Sequence, residues 1–517
     1  MPTAGVAQTS QRRAAPPDGA AAMDSAAVPS PPAFPRRPPS WASPFVPPDH
    51  WSRRAARRLQ TLGLAPPGYE AGLALLTRRE VAYVLDYAAA RATLDRPSVA
   101  AVARGYAERF AEELGGRVPA DTSALGRLRR GAGWIGAGYD HADGRVLAGV
   151  GYDNGTDWTG TRPVPDSVAG ILATSLSAGL GRYLALRAVP TLRETAVGLP
   201  EVEAVATWRA LGAWVGRRRV AFGPARGGGI VLSGGVPLNG FGVFLADPIR
   251  FPWIFRHMGP IRIETFASQV RGGDRIRDPY FVAFRGTMTP HPRFTAGLNR
   301  AAMFGGEGND PLTLRNLSFL LVGGTRSGQQ GEFANDVLSA DFQFRPPLGP
   351  VPLQLYLEWG MDDSSGAWLD VPGMTAGAEL GALPGAPWLS LGGEWTFFHR
   401  SCCGNTIWYR NWAMRQGWTD DGWLLGHPLG GEGTQWLAYG AAEAAGARLR
   451  LEWSAFLRRR QEENLLAPER LGRSRGGSLA GALRIDRALE LEAVGGLERG
   501  AAGWHSSSLT LGIRALF

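Results

Sequence analysis

The sequence contains no lysine, so all 55 of its basic residues are arginines. Mechanisms that need a lysine are therefore excluded, among them a phosphate-binding P-loop, a Schiff base and a serine–lysine nucleophile pair. The arginines are interspersed with 46 acidic residues and form no long basic tract, which argues against nucleic-acid binding despite a net charge of +9. Arginine also suits polar lumens and anionic glycans, because its planar guanidinium binds carboxylates through two hydrogen bonds.

Cysteine is nearly absent as well: Cys402 and Cys403 are the only two, and they are adjacent. Without CxxC spacing, a zinc site or a thioredoxin-type site is not expected. A vicinal disulfide and two thiols both stay open, and so does the redox compartment. The motifs GxSxG and HExxH and a paired-carboxylate block are also absent. We therefore expect no enzyme, no cofactor and no metal site, with a hydrolase built from several barrel strands as the alternative.

No run of 18 apolar residues occurs, so the sequence predicts no transmembrane helix. Glycine (71) and tryptophan (18) are instead abundant among short alternating segments, as a membrane β-barrel requires. Residues 1–48 are rich in alanine, proline and serine, which predicts a disordered tail. A signal peptide has an apolar core of about 7–15 residues. None is visible, so we expect the leader to be missing from the given N-terminus.

A small helical unit is predicted over residues 49–125. Apolar residues recur at helical spacing from Trp51 to Leu62. Residues 77–80 read Thr-Arg-Arg-Glu, which is a capping box at the start of a second helix. A third helix is predicted from about residue 97 to residue 114. This unit is expected to be a periplasmic element or a plug, and a plain helical bundle or linker domain is the alternative.

Residues 126–517 are predicted to form a large antiparallel transmembrane β-barrel. Strand-like alternation is sharpest over residues 448–457, where leucines alternate with arginines and a glutamate. An arginine facing lipid at mid-depth costs about 2–4 kcal/mol, so the charged face of each strand is expected to line the lumen. The last strand, residues 509–517, ends on Phe517 and resembles the closing strand of outer-membrane barrels. A soluble β-sandwich is the alternative.

Turn-forming residues between alternating segments predict hairpins. One hairpin is predicted over residues 133–152 around Asp143-Gly144, because Asp-Gly favours a tight two-residue turn. Two further hairpins are predicted over residues 280–304 and residues 436–457. Short connections of this kind are typical of an up-and-down arrangement of neighbouring strands.

A glycine-rich block and four later segments occur in an order that resembles the Wzi family of outer-membrane capsule assembly proteins. They are residues 219–233 (RVAFGPARGGGIVLS), 247–253 (DPIRFPW), 278–306, 340–345 with 355–360 (ADFQFR and LYLEWG), and 411–431. With the helical unit and Phe517, the resemblance covers about residues 45–517. The sequence differs from the family pattern at Gly234 and Gly235, because asparagine is common there in the family.

The resemblance implies a monomeric barrel of about eighteen strands, occluded by helices and loops, in the outer membrane of a Gram-negative cell. It implies a lectin and not an enzyme, which binds and anchors capsular or other surface polysaccharide during capsule assembly. The expected partners are that polysaccharide, outer-membrane lipid and the barrel-assembly machinery, with no nucleic acid. The alternative, prompted by the charged inward faces, is a pore or transporter for small solutes or oligosaccharides.

Glycan binding needs aromatic faces for sugar rings and polar groups for hydroxyls and carboxylates. We predict a glycan-contacting extracellular loop formed by Trp408, Tyr409, Arg410, Trp412, Trp418, Trp423 and His427. An aromatic girdle at the membrane interface is an equally good interpretation of the same residues. Arg226, in the glycine-rich block, is a second candidate for an anionic sugar, and a structural arginine at a tight barrel corner is the alternative there.

Overall fold

The computed structural model describes most of the chain from residue 41 onward. The described residues are 41–48, 50–69, 76–114, 128–142, 167–193, 196–273, 276–309, 313–314, 334–362, 372–399, 408–411, 414–444, 448–467 and 469–516. Residues 1–40 of the predicted tail, which was residues 1–48, therefore lie outside them, as do Cys402, Cys403, Trp412 and Phe517. Residues 41–46, which the prediction included in the tail, are buried, so the ordered part begins before the predicted boundary.

The alternating segments form strands, most of them ten to fifteen residues long. The strands are β1 Leu128–Ala142, β2 Ser167–Leu180, β3 Leu184–Arg193, β4 Ala196–Trp208, β5 Leu211–Ala221, β6 Ser233–Leu245, β7 Ile261–Gln269, β8 Tyr280–His291, β9 Phe294–Phe304, β10 Ala334–Phe344, β11 Leu353–Asp362, β12 Gly373–Leu380, β13 Leu389–Phe398, β14 Thr419–Asp420, β15 Trp423–Leu424, β16 Gly433–Ala444, β17 Leu449–Arg460, β18 Gly472–Arg484, β19 Leu489–Gly500 and β20 His505–Leu516.

All strands except β14 and β15 belong to one closed antiparallel barrel. In the described part of the chain this barrel has eighteen strands, each paired with its neighbours in sequence. Closure comes from β1 and β20, which pair antiparallel from Ala132↔Leu516 to Ala142↔Ser506. Since β1 also pairs with β2, none of the described barrel strands has an open edge. The predicted barrel of about eighteen strands is confirmed.

The two ends of the barrel differ in the length of their connections. At one end, which we call the turn end, most strands are joined by short turns such as Gly181–Tyr183 and residues 292–293, and the longest described connection is residues 246–260, between β6 and β7. The first residue of β1 and the last residue of β20 lie at this end. At the other end, the loop end, β13 and β16 are joined by residues 399–432, which include the small ribbon of β14 and β15.

The predicted register of the late strands is confirmed. In β17, Leu449, Leu451 and Leu457 are exposed on the outer face, whereas Arg458 and Arg460 are buried in the lumen. In β11, Gln354, Tyr356 and Glu358 are buried and Leu355 is exposed. A one-residue slip would turn charged side chains outward, so the apolar outer wall specifies this register.

Aromatic side chains mark both rims of the outer wall. Near the loop end, the rings of Trp395 and Trp436 lie 6.1 Å apart, and Trp395 stacks on Phe397 at 5.8 Å. Near the turn end, Tyr183 and Trp208 are exposed. Two aromatic girdles around an apolar band are typical of a barrel that crosses a bilayer. The predicted transmembrane register is thus supported by the outer surface as well as by the lumen.

The predicted helical unit is present as three helices, α1 Trp51–Thr61, α2 Arg78–Asp95 and α3 Pro97–Leu114. The predicted capping box is confirmed, because the Thr77 side chain accepts from the Glu80 backbone and the Glu80 side chain accepts from the Thr77 backbone. The apolar faces of the helices pack together into one buried cluster that includes Trp51, Leu85 and Phe110. Among the described helices, none is both long enough and apolar enough to cross a membrane.

The helical unit sits inside the lumen at the turn end. It is held there by buried arginine–carboxylate pairs between each helix and the wall. They are Arg57 to Glu379 at 2.9 Å, Arg58 to Glu443 at 2.7 Å, Arg79 to Asp247 at 2.9 Å, Arg262 to Glu80 at 2.6 Å, Arg514 to Glu113 at 3.1 Å, and the pair of Arg109 and Glu490. We call this unit the helical plug.

Two of the three predicted hairpins are confirmed, as β8–β9 and as β16–β17. The hairpin predicted over residues 133–152 is wrong. β1 continues through Ala142, and its two edges are occupied by β2 and β20, with Tyr139 opposite Val168. The Asp-Gly signal is local, and barrel closure together with a long connection to β2 overrides it. The predicted second arm, residues 146–152, lies outside the described residues.

Candidate functional site

The loop end of the lumen is filled by two segments that fold inward. The glycine-rich block leaves β5, and residues 222–232 turn into the barrel and bury Phe222, Ile230 and Leu232. Residues 408–411 and 414–432 pack on them, and the two segments share one apolar cluster. The backbone amides of Arg226 and Gly227 donate to Glu394 of β13, at 2.7 and 3.1 Å. We call these two segments the loop plug.

The glycine-rich sequence is needed because the block passes very close to the wall. A methyl group at Gly229 would overlap the carbonyl oxygens of Phe222 and Leu232, which are backbone atoms and cannot move aside. Gly223 has a φ of +92° and approaches the Glu358 carboxylate of β11. The block is therefore neither a dinucleotide-binding loop nor a plain barrel corner. It is a segment that folds into the lumen and is held there by carboxylates of the barrel wall.

Tyr409 is the central residue of the loop plug. Its hydroxyl donates to the Ile230 carbonyl oxygen at 2.5 Å and accepts from the His427 backbone amide at 2.9 Å. Its backbone amide donates to Asp362 of β11 at 2.5 Å, and it adopts a φ of +66° that a side chain disfavours. Burial raises the pKa of Tyr409 well above its usual value, so the hydroxyl stays a neutral donor. The strained residue thus joins both segments of the plug to the wall.

His427 is a structural residue of the same plug. Its Nδ1 accepts from the Leu429 backbone amide at 3.1 Å, and its Nε2 lies 3.3 Å from the Thr396 hydroxyl of β13. Burial lowers the pKa of His427 to about 3, and the guanidinium groups of Arg458 and Arg460 act in the same direction. The imidazole is therefore neutral at physiological pH, and its two ring nitrogens connect the backbone of the loop plug to β13 through hydrogen bonds.

Four of the predicted glycan-binding residues lie in the interior. Trp408, Tyr409, Trp418 and His427 each have 0% of their surface exposed. Trp418 donates from Nε1 to the Val231 carbonyl oxygen at 2.9 Å, so its polar edge is used within the plug as well. With no exposed surface, these four have no face to offer a sugar ring in this conformation. They are also not a lipid-facing girdle, because they pack inside the lumen.

The remaining predicted residues lie in different places. Arg410 is partly exposed, with Nη1 3.6 Å from Glu463 and Nη2 donating to the Asn464 carbonyl oxygen at 3.0 Å. Trp412 lies outside the described residues. Arg226 is half-buried, and its guanidinium lies 5.3 Å from the ring centroid of Tyr439 on the lumen wall. The structure thus does not bring Arg226 and the exposed part of the aromatic loop together at one surface.

Trp423 stands on the small ribbon of β14 and β15 at the loop end. Asp421 and Gly422, between the two strands, have φ values of +52° and +79°, the left-handed pair that a tight hairpin turn requires. Trp423 is half-buried, and it rests on the apolar cluster of the plug. One face of its ring is therefore supported from below, as a stacking platform for a planar or ring-shaped ligand would be.

Sequence reasoning missed Arg271, a charged neighbour of this ribbon. The Arg271 guanidinium lies 3.2 Å from Asp420 and 3.8 Å from Asp421, and its side chain is 46% exposed. Its backbone carbonyl accepts from the Asp421 amide at 2.8 Å. The ribbon and the β7–β8 connection thus form one surface that carries an indole, the exposed carboxylate of Asp421 and a guanidinium, with the buried Asp420 beneath the guanidinium. The signal in the sequence was the Asp-Gly turn, which indicates an exposed hairpin tip but not its neighbours.

Metal chemistry has no visible site in this part of the molecule. Among the described residues, no group of three or more histidine, cysteine, aspartate or glutamate side chains is arranged to hold a metal ion. The carboxylates of the lumen are instead engaged with arginines, as where Arg458 and Arg460 meet Glu498 at 3.1 and 3.0 Å. The predictions of no cofactor and no metal stay predictions.

A closed eighteen-stranded barrel, apolar outside and filled by a helical plug and a loop plug, belongs to the class of plugged transmembrane β-barrels. The family model of capsule assembly protein Wzi matches residues 204–506. That match spans more than half of the sequence, and the protein belongs to the Wzi family. This is a capsule assembly family and not an enzyme family.

Solved structures agree with this fold. The structure of Escherichia coli Wzi matches with a TM-score of 0.66 at 17% identity, covering 92% of this chain and 100% of that one. That protein is described as a carbohydrate-binding β-barrel of the outer membrane involved in group 1 capsule assembly. Pseudomonas aeruginosa OpdL matches at 11% identity with a TM-score of 0.47, over 75% of this chain and 98% of that one, and is too distant to carry an argument. No curated protein sequence matches the chain.

Proposed function

We propose that the protein is an outer-membrane lectin that binds capsular or other surface polysaccharide at its loop end and anchors it there. Membership of a capsule assembly family supports this role, and so does the carbohydrate binding ascribed to E. coli Wzi. Outer-membrane barrels have short turns on the periplasmic side and longer loops outside. By that rule the turn end and the helical plug face the periplasm, and the loop plug faces the cell exterior.

The observation that carries the proposal is the loop-end surface around Trp423 and Arg271. A supported indole next to an exposed guanidinium offers a stacking face and a bidentate donor for a sugar carboxylate or hydroxyl pair. The exposed carboxylate of Asp421 can accept from a sugar hydroxyl, while the buried Asp420 holds Arg271 in place. Arg410 is a second partly exposed cation at the loop end, held by Glu463 and Asn464 of the β17–β18 connection. We therefore propose that Arg410, Trp412 and Trp423 of the predicted loop contact the glycan, together with Arg271.

We propose that this activity is binding without catalysis, by a monomer that the barrel-assembly machinery inserts. Closure of the barrel supports the monomer, since the eighteen described barrel strands leave no edge to pair with another chain. A pore is the second candidate function. It is favoured by the lumen-facing Ser454, Ser478 and Ser508, which stay partly exposed along β17, β18 and β20. The helical plug and the loop plug, which occupy the two ends of the lumen, argue for the lectin.

Binding of purified, anionic capsular polysaccharide to detergent-extracted protein tests the site. Trp423→Ala and Arg271→Ala should each weaken binding about tenfold, since a lost stack or charge-assisted hydrogen bond is worth about 1.5 kcal/mol. The matched controls are Trp253→Ala and Arg250→Ala, which change exposed residues of the same types at the turn end. If all four variants bind like the unmodified protein, the site is elsewhere.

Deletion of the gene in an encapsulated host tests the cellular role. Polymer should move from the cell surface into the medium, and the Trp423→Ala variant should restore less cell-bound polymer than the Trp253→Ala variant. Unchanged cell-bound capsule after deletion would refute anchoring. Planar-bilayer recordings distinguish the pore, because a plugged barrel should show no steady conductance, whereas a diffusion pore should.

A further inference from the structure

Four arginines lie side by side on the outer face of the barrel, near the loop end of β17, β18 and β19. They are Arg459, Arg473, Arg475 and Arg499, and all are exposed. In the strand register Arg459 stands opposite Arg473, and Arg475 stands opposite Arg499. We call these four residues the outer arginine patch. The alternating residues of the same strands, such as Arg460 and Glu498, are buried in the lumen, which fixes the outward direction of the patch.

Such a patch is unfavourable without a counter-charge. Like charges directly opposite each other on neighbouring strands repel, and here two such pairs are adjacent. In the described part of the chain, no acidic side chain lies within ion-pair distance of any of the four. By contrast, Arg300, on the outer face of β9, is neutralised by Asp336 of β10. The outer arginine patch is therefore built to receive negative charge from outside the protein.

The depth of the patch indicates where that charge comes from. Arg475 lies in one cross-strand row with Leu457 and Trp436, and Trp436 belongs to the aromatic girdle near the loop end. Aromatic girdles lie at the level of lipid headgroups. An arginine there costs only about 0–1 kcal/mol, compared with about 2–4 kcal/mol at mid-depth. The patch thus faces the headgroups of the leaflet at the loop end, and not the open solvent above it.

Below the patch the outer wall forms an apolar surface with a floor of small residues. Ala455 stands opposite Gly477 in the row directly beneath the Arg475 row, and Leu479 and Leu497 are exposed beside them. These residues, with Arg475 and Arg499, border an open hollow of about 1430 Å³, whose lining also includes the lumen-facing Ser454, Ser478 and Ser508. Guanidinium groups at one end and a shallow apolar surface at the other match a molecule with an anionic head and hydrocarbon chains.

We propose that the outer arginine patch is a binding site for a phosphorylated lipid of the loop-end leaflet, with its phosphates on the guanidinium groups and its acyl chains along the outer wall of β16–β20. Arginine suits phosphate because its planar fork forms two parallel charge-assisted hydrogen bonds. The patch is separate from the proposed glycan surface. Lipid binding there therefore requires the folded barrel but not polysaccharide binding. It would fix the barrel to a particular lipid and set its depth in the membrane.

The test is native mass spectrometry and titration of the full chain in a neutral detergent with four probes. The probes are bisphosphorylated lipid A, the same lipid after phosphatase treatment, phosphatidylethanolamine and inorganic phosphate. We expect the first probe alone to bind tightly, and R475Q/R499Q to weaken it at least tenfold. The control R250Q/R448Q removes two exposed arginines at the turn end and should bind as the unmodified protein does.

Heat-dependent gel mobility shows whether each variant is a folded barrel, and R475K/R499K separates charge from shape. The lysine variant keeps both charges and should retain more affinity than R475Q/R499Q, but less than the unmodified protein, because it loses the bidentate geometry. Equal binding of the phosphatase-treated lipid would overturn the proposal, as would full affinity in R475Q/R499Q. Inorganic phosphate that competes at the same concentration as the lipid would show an anion site without lipid recognition, and purified polysaccharide that displaces the lipid would reassign the patch to glycan.

Discussion

Arg58 of α1 offers the sharpest test of how the helical plug is held. Its guanidinium lies 2.7 Å from Glu443 of β16 and donates to the carbonyl oxygens of Gly381 and Pro387 at 2.9 and 2.5 Å. A fourth hydrogen bond, at 3.0 Å, reaches the Tyr106 hydroxyl of α3. One buried side chain thus connects the plug to the β12–β13 turn and to one strand of the wall. We predict that Arg58→Ala releases the plug from the turn end.

The expected magnitude follows from what is left behind. Removing one partner of a buried ion pair costs about 3–5 kcal/mol, because the other charge stays buried without its partner. Here Glu443 is that charge, at 7% exposed. Arg91→Ala is the matched control, since Arg91 and Asp95 form an exposed pair on α2 of the same plug. Such a pair contributes only about 0.3–0.5 kcal/mol. The two variants should therefore differ by about 3 kcal/mol in the free energy of plug opening.

Thermolysin digestion of the detergent-extracted protein measures that difference, because cleavage within the helices requires the plug to open. A change of about 3 kcal/mol corresponds to about a hundredfold faster cleavage of Arg58→Ala, with the barrel strands still protected. Planar-bilayer recordings of the same variant should show transient conductance steps. Equal cleavage rates for Arg58→Ala and Arg91→Ala would refute the idea that buried arginine pairs retain the plug.

Three further predictions concern the loop plug and the network beside it. Because the pKa of His427 is lowered to about 3 from an ordinary value near 6.5, its contribution to stability is complete above pH 6.5 and is lost as the pH falls toward 3. The heat-modified mobility midpoint should drop over that range, and less so in His427→Gln. Glu498→Gln leaves the guanidinium groups of Arg458, Arg460 and Arg470 buried without their carboxylate and should cost about 3–5 kcal/mol in urea unfolding. Glu463→Gln, in a half-exposed pair, should cost under about 1 kcal/mol. Gly229→Ala should expose the plug to protease, whereas Gly235→Ala, with its nearest side-chain atom 3.9 Å away, should not.

The barrel wall could be predicted from the sequence because the bilayer imposes a local rule. An arginine on the lipid face at mid-depth is costly, so the alternation over residues 448–457 specified which face is outside. The capping box at Thr77 was readable for a similar reason, since both of its hydrogen bonds join residues three apart. The hairpin around Asp143-Gly144 was wrong because a turn signal competes with closure of β1 on β20, which joins opposite ends of the chain.

The position of the aromatic loop could not be predicted in this way. Tryptophans and a histidine over residues 408–427 suit a glycan surface, a girdle and a plug equally well. What places Tyr409 and Trp418 inside is their bonding to Ile230, Val231 and Asp362, which lie far away in sequence. Among the described tryptophans of this segment, Trp423 is half-buried whereas Trp408 and Trp418 are buried, and the local sequence distinguishes Trp423 only by its position next to the Asp-Gly turn. Local composition thus predicted which segment is aromatic. Long-range contacts determine which of its residues are accessible to a ligand.

The contacts of Arg58 in the helical plug give a physical reason for arginine instead of lysine at this position. An ammonium group could keep the ion pair between position 58 and Glu443, but it lacks the planar fork that lets Arg58 reach Gly381 and Pro387 at the same time. Arg58→Lys should therefore lose the contacts to the turn and keep the charge pair. We expect its thermolysin cleavage rate to lie between those of the unmodified protein and Arg58→Ala. A rate equal to that of the unmodified protein would mean that charge alone holds the plug, and the exclusive use of arginine would then have no explanation in the geometry of this contact.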